Sequence, residues 1–352
     1  MHMRLPTVVL LLGALTATAA PALATENVTV RRLEGANRYE TAAAIARATF
    51  PAGTSLNVTV ARGDAFPDAL SAINFAGSKY YGPGRGVVLL SPRDALPAAT
   101  AAFFRDYPVF DGNVMGSEEV LSARVRQQVA DASGRDGGAG GADRYETNFG
   151  SFIINYNIEA EQPRDVGGLA TAFLVSGAQY ADASSVGPVS SQERLPLLLT
   201  AQAALSPATR KSLQNETAIE QVIVVGGPGA VSEQVVRDVE ALGIKVRRIA
   251  GSTRQATAVE VFKFAEQEFG WTLAHVNLAR GDVFPDAIAG GPHGGKEKAP
   301  ILLTATKDDL SAVTRNFLRE RSATISSLHV FGSKDAIAAA VVEDARAAAT
   351  AP

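Results

Sequence analysis

The feature that most constrains this chain is that four short motifs occur in the same order three times. Asn37-Arg38-Tyr39-Glu40-Thr41 returns 106 residues on as Asp143-Arg144-Tyr145-Glu146-Thr147, and 110 residues after that, altered, as Thr253-Arg254-Gln255-Ala256-Thr257. Gly63-Asp64-Ala65-Phe66-Pro67-Asp68-Ala69 matches Gly281-Asp282-Val283-Phe284-Pro285-Asp286-Ala287, with a weaker middle copy at Gly177-Ala178-Gln179-Tyr180-Ala181-Asp182-Ala183. Val88-Leu89-Leu90-Ser91, Leu197-Leu198-Leu199-Thr200 and Ile301-Leu302-Leu303-Thr304 form the third series. Val114-Met115-Gly116, Val224-Val225-Gly226 and Val330-Phe331-Gly332 form the fourth. A period near 110 residues is too long for a solenoid and long enough for each copy to be a small domain. The boundaries expected are 25–133, 134–243 and 244–352.

Within copy one, apolar strands alternate with helices. Strands are expected over 27–33, 56–61, 86–90 and 109–115, and helices over 38–48, 68–77, 95–105 and 118–132. Continuous apolar strands between helices imply a parallel sheet covered on both faces, and right-handed crossovers make each copy a three-layer αβα unit. The opening of copy two, Gly137-Gly138-Ala139-Gly140-Gly141, reads instead as a flexible joint.

Residues 1–24 read as a separate object. Arg4, a short apolar run from Val8 to Leu15 and the Ala22-Leu23-Ala24 ending have the pattern of a secretory signal peptide. The run is shorter than the roughly 20 residues that span a bilayer. After cleavage no membrane span and no sortase-type signal is expected. The chain contains no cysteine, so a disulfide, a Cys₄ metal site and a thiol nucleophile are all excluded. Formal net charge is −3 with no Lys/Arg run, which argues against nucleic acid as a partner.

Each motif has a structural reading and a ligand reading. Asn37 with Glu40, and Asp143 with Glu146, are capping boxes. Capping does not account for Arg38, Tyr39, Arg144, Tyr145 or Arg254, which either pack against a neighbouring copy or face a ligand. Asp68, Asp182 and Asp286 suit a helix start. They also lie in loops at the carboxyl ends of parallel strands, where open α/β sheets bind ligands. Asp64 and Asp282 add a carboxylate suited to a sugar hydroxyl or an amine. Gly226, Gly227 and Gly229 form a strand–turn–helix junction that is either a plain turn or an anion site. No H-E-x-x-H, G-x-S-x-G or dinucleotide fingerprint is present, so no catalytic residue, cofactor or metal site is expected.

Together, "RLEGANRYETA", "ARGDAFPDALSA", "PILLTATKDDL" and "VIVVGGPGAVS" resemble the type 2 cell-wall-binding repeat family of Gram-positive bacteria, from about Arg31 to Ala345. The resemblance implies three tandem Rossmann-like αβα units packed with pseudo-threefold symmetry. It further implies a secreted, wall-associated, non-catalytic protein, held at the cell surface as S-layer-like proteins are, without a covalent link. The implied partner is an anionic secondary cell-wall polymer or peptidoglycan. Arg38, Arg144 and Arg254 would then meet phosphates or carboxylates, Tyr39 and Tyr145 would stack on sugars, and Asp68, Asp182 and Asp286 would shape the loops. Copy one alone keeps every motif. A secreted hydrolase of wall glycan or phosphate polymer, and a self-assembling surface protein, are the competing readings. One chain already supplies three copies, so a monomer is expected.

Overall fold

The computed structural model describes residues 28–77, 84–135, 137–156, 164–214 and 219–351. The expected signal peptide lies outside them.

Copy one runs β1 (Thr29–Leu33), α1 (Arg38–Thr49), β2 (Leu56–Arg62), a single 3₁₀ turn at Asp68–Leu70 continuing into α2 (Ala72–Ala76), β3 (Gly86–Ser91), α3 (Ala98–Asp106), β4 (Val109–Met115) and α4 (Ala123–Ser133). Copy two runs β5 (Gly137–Ala139), α5 (Arg144–Tyr156), β6 (Asp165–Val166), β7 (Leu169–Ser176), α6 (Ala181–Glu193), β8 (Leu197–Thr200), α7 (Pro207–Gln214), β9 (Gln221–Val225) and α8 (Glu233–Glu240). Copy three runs β10 (Lys245–Ile249), α9 (Arg254–Phe269), β11 (His275–Arg280), α10 (Pro285–Glu297), β12 (Ile301–Thr304), α11 (Ala312–Glu320), β13 (Ser327–Phe331) and α12 (Ala339–Ala349).

The units are the expected Rossmann-like α/β units with parallel sheets, but each sheet is shared between copies. The opening strand of every copy pairs with the last strand of the copy before it. β5 joins β3-β2-β4, β10 joins β8-β7-β9, and β1 joins β12-β11-β13. Leu33 is in register with Phe331, Ala139 with Met115 and Ile249 with Val225. The exchange is cyclic, since β1 of copy one closes the sheet of copy three. All these pairs are parallel. The antiparallel exception among the described residues is the hairpin β6–β7, whose Gly167 and Gly168 have φ of 63° and 80°. Positive φ at both central residues is the turn geometry that matches strand twist.

Gly137–Ala139 is therefore a strand and not the joint read from its glycines. Gly138 sits at φ 122°, and a Cβ there would lie 2.0 Å from the Val114 carbonyl oxygen. The glycines at this edge let β5 approach β4 where a side chain would collide. The last helix of copy one also begins at Ala123 and not at 118, because the turn after Gly116 occupies the intervening residues.

The core is centred on the three helices that follow the Gly-Asp loops. Nearly every residue of α6 and α10 is buried, in keeping with helices that have no polar face. Small residues let them meet: a Cβ on Gly187 would lie 3.4 Å from the Gly291 Cα, and one on Gly77 would lie 2.7 Å from the Ser191 Cα. One continuous apolar cluster joins residues of all three copies, from Leu33 and Ile73 through Val186 and Phe264 to Ile288 and Phe331. Two satellite cores lie under copies one and two.

Candidate functional site

The helix starts and the Gly-Asp loops meet at the boundaries between copies. Their local construction explains why. The Asn37 Oδ1 accepts from the backbone amides of Tyr39 and Glu40, both at 3.0 Å, while Glu40 accepts from the Ala36 amide at 2.9 Å. Asp143 and Glu146 repeat this at 2.8–3.0 Å. Copy three keeps only the Thr253 cap, which accepts from the Ala256 amide at 3.2 Å.

Fixed in this way, each arginine reaches the loop of its own copy. Arg38 Nη1 donates to the Gly63 carbonyl at 2.6 Å, Arg144 to Gly177 at 2.6 Å and Arg254 to Gly281 at 2.7 Å. Tyr39 and Tyr145 lie over the same glycines. A Cβ on Gly63 would be 2.7 Å from the Tyr39 ring, and one on Gly177 would be 2.5 Å from Tyr145. In copy three Gln255 takes the tyrosine's place, donating to the Thr304 carbonyl at 3.0 Å. The tyrosines are half-buried against their own loops and pack on the central core.

Each arginine also faces the aspartate of the preceding copy. Asp182 is buried, and desolvation pushes its carboxyl up to about 6, against the opposing pull of the Thr257 hydroxyl and Arg254. Asp286 is pushed up to about 6 by burial, against Arg38 and Arg280. Burial raises Asp68 in the same way, with Thr147 and Arg144 pulling it back. Each aspartate therefore faces the helix start of the next copy, cyclically. Arg38, Arg144 and Arg254 form no ion pair within 4.0 Å among the described residues.

Asp64 and Asp282 are held differently. Arg62 grips Asp64 through Nε and Nη2 at 2.6 and 3.1 Å, and Arg280 grips Asp282 at 2.5 and 2.8 Å. The hydrogen bond to the arginine depresses both carboxyls. They are exposed ion pairs within their own loops.

The boundary between copies one and three opens as a groove of about 350 Å³. Arg38 and Thr41 lie on one wall, Arg280, Asp282 and Asp286 on another, with Tyr180 and Ser333 also lining it.

Sequence reasoning missed two parts of this arrangement. Phe66, Tyr180 and Phe284 occupy the same position in the three loops, and their rings form a triangle with centroids 5.5, 5.9 and 6.0 Å apart. The triangle marks the pseudo-threefold axis. Arg144 lies over Phe66 at 5.7 Å and Arg254 over Tyr180 at 5.9 Å, both across copy boundaries. An aromatic in all three loops was the available signal, obscured by the change from Phe-Pro to Tyr-Ala in copy two. The second part is the role of Arg32 and Arg248, which donate at 2.7 Å to the carbonyls of Gly332 and Gly226. Copy two has Gly138 at the matching place, and Arg126 of copy one bonds Gly116 in its stead.

Of the two readings of the glycine turn, the plain turn accounts for Gly226. Its amide donates to the Ile249 carbonyl at 2.9 Å, and a Cβ on it would lie 2.5 Å from the Asp182 carboxylate. Its φ of 108° and this close approach explain the glycine. A buried carboxylate and a committed amide disfavour phosphate there. Gly227 and Gly229 lie further out on the same turn, with Gly229 exposed.

Three linked α/β units thus share strands and meet at a repeated arginine–aspartate boundary around one aromatic triangle. A family model described as "Cell wall binding domain 2 (CWB2)" matches residues 32–126, 139–236 and 248–342, and the chain belongs to that family. It is 24% identical over 312 residues to the "N-acetylmuramoyl-L-alanine amidase LytC" of Bacillus subtilis (strain 168), covering 89% of this chain and 57% of the relative. It is 24% identical over 298 residues to the "Amidase enhancer" of the same organism, covering 84% of this chain and 38% of that one. The fold superimposes on Cwp6 from Clostridium difficile with a TM-score of 0.76 at 21% identity, covering 97% of this chain and 51% of the other. Cwp8 from the same organism gives 0.75 at 22%, covering 92% and 52%. The chain thus spans about half the length of these structures and at most 57% of these relatives.

Proposed function

We propose that the chain is a non-catalytic, secreted module that holds itself to the cell wall by binding an anionic wall polymer at its copy boundaries. Membership of a cell-wall-binding family supports the wall as partner. The observation that carries the polymer's charge is the repeated arginine without an ion-pair partner. Arg38, Arg144 and Arg254 are each fixed by one carbonyl, which orients a planar guanidinium suited to a phosphate or carboxylate.

The acidic groups nearby oppose this less than their number suggests. Asp282 is neutralised by Arg280, and below about pH 6 burial keeps Asp182 and Asp286 protonated, so their opposition grows only as pH rises through that range. Tyr39 and Tyr145 are only half-buried and stand next to the arginines in sequence, and we assign them to stacking on the sugars of the polymer. Three moderate contacts on one rigid body bind a repeating polymer far more tightly than one does. A non-catalytic role fits Asp64 and Asp282, which are bound to arginines instead of standing beside a nucleophile.

Co-sedimentation with purified Gram-positive walls, before and after extraction of their anionic polymers, tests the proposal. Loss of binding on extraction is expected; equal binding to extracted walls would contradict it.

A further inference from the structure

Outside the arginine boundaries, the described residues contain one cluster of metal-ligating side chains: His293 and Glu297 on α10, and His329 on β13. His293 Nε2 lies 3.0 Å from His329 Nδ1, and Glu297 Oε2 lies 3.2 Å from each. Three ligand atoms thus form a nearly equilateral triangle. Two imidazole nitrogens and a carboxylate oxygen around one tetrahedral zinc stand roughly 3.3 Å apart, given bond lengths of about 2.0–2.1 Å. The triangle needs to open by only a few tenths of an ångström to hold such an ion.

Three further observations favour a cation over a proton-bridged pair. The Thr49 hydroxyl donates to the Ile45 carbonyl at 2.7 Å, so its oxygen accepts the Nδ1–H of His293 at 2.9 Å. That bond fixes the tautomer and turns the Nε2 lone pair toward the triangle, as outer partners of metal-bound histidines do. Apart from the two imidazole nitrogens at 3.2 Å, the buried Glu297 Oε2 has no hydrogen-bond partner among the described residues, so the triangle is its whole polar environment. Asn277, in register beside His329 on β11, is fully buried with both amide atoms unpartnered. His293 itself is 2% exposed, while the Glu297 side chain is 26% exposed.

We propose that His293, Glu297 and His329 bind a divalent transition-metal ion of the zinc class. His293 and Glu297 sit one turn apart on one helix, and His329 comes from the strand that pairs with β1. Thr49 belongs to α1 of copy one. The ion pins the seam where the first copy closes onto the third. This role is separate from polymer binding and does not rest on it.

Isothermal titration of the chelator-treated full chain with ZnCl₂, alongside Co²⁺ absorption spectra, is the test. One ion per chain is expected, with a tetrahedral Co²⁺ spectrum and a melting temperature raised by zinc. Glu297→Gln and His329→Ala should each weaken binding by roughly 10-fold or more, and Thr49→Val by about 10-fold. The exposed His275→Ala should leave it unchanged. Should His329→Ala unfold, Glu297→Gln, at the solvent side, gives the same reading. Absence of stoichiometric zinc binding to the wild-type chain, or unchanged binding by folded Glu297→Gln and Thr49→Val, would overturn the proposal.

Discussion

Arg38 at the start of α1 faces Asp286, a carboxyl almost 250 residues later, across the boundary between the first and third copies. Arg254 faces Asp182 in the same way. Sequence neighbours supply neither pair. Each exists because the copies close into a ring, so the boundary geometry and the ring stand or fall together.

Burial of these aspartates predicts an unusual pH dependence. Unfolded, Asp182 and Asp286 ionise near 3.8; folded, they hold their protons to about 6. The folded chain therefore binds more protons between these values, and their contribution to stability falls as pH rises from about 4 through about 6. The carboxyls depressed by arginines, such as Asp64 and Asp282, act below pH 4 and in the opposite sense. Asp182→Asn/Asp286→Asn should stabilise the chain at pH 7.5, on the order of a few kcal/mol, and change little near pH 4. Thermal melts of both proteins across pH 4–8 check this; parallel curves would contradict it.

The aromatic triangle should contribute to stability through its rings and not through the Tyr180 hydroxyl. Phe284→Ala is expected to cost about 1–3 kcal/mol, less than a fully buried phenylalanine because its ring is only half-buried. Tyr180→Phe should stay within about 0.5 kcal/mol of wild type. Urea unfolding of the two variants separates these outcomes.

Strand exchange makes Gly138 a sensitive position despite its place in a glycine-rich segment. Gly138→Ala meets the Val114 carbonyl and a φ of 122°, and should cost roughly 2–4 kcal/mol. Gly134, at φ 73° with nothing within 4 Å, is the comparison: Ala there should cost only about 1 kcal/mol. Denaturation midpoints of the two variants test the contrast.

The repeat, the αβα units and nearly every strand were legible because motif order and apolar periodicity are local properties. β5 was not, since its glycines carry no strand signal; only the neighbouring β4 shows why side chains are excluded there. The cyclic sharing of strands was hidden for a related reason. A strand reads the same whichever sheet it joins. The arginines and aspartates were legible as residues but not as partners, because Arg144 and Asp68 meet only after two copies dock. His293 and His329 are 36 residues apart, and nothing in their spacing announces that they touch.

The most direct measurement is quantitative co-sedimentation of wild type and the Arg38→Ala/Arg144→Ala/Arg254→Ala triple variant with intact walls, at matched fraction folded. Each substitution removes one carbonyl hydrogen bond, and those at Arg144 and Arg254 also remove a contact over an aromatic ring, about 1–2 kcal/mol each, so the comparison is made at matched fraction folded. Multivalent binding through the copy boundaries predicts a several-fold loss for each single variant and a loss of roughly 100-fold or more for the triple. A folded triple variant that sediments like wild type would contradict it.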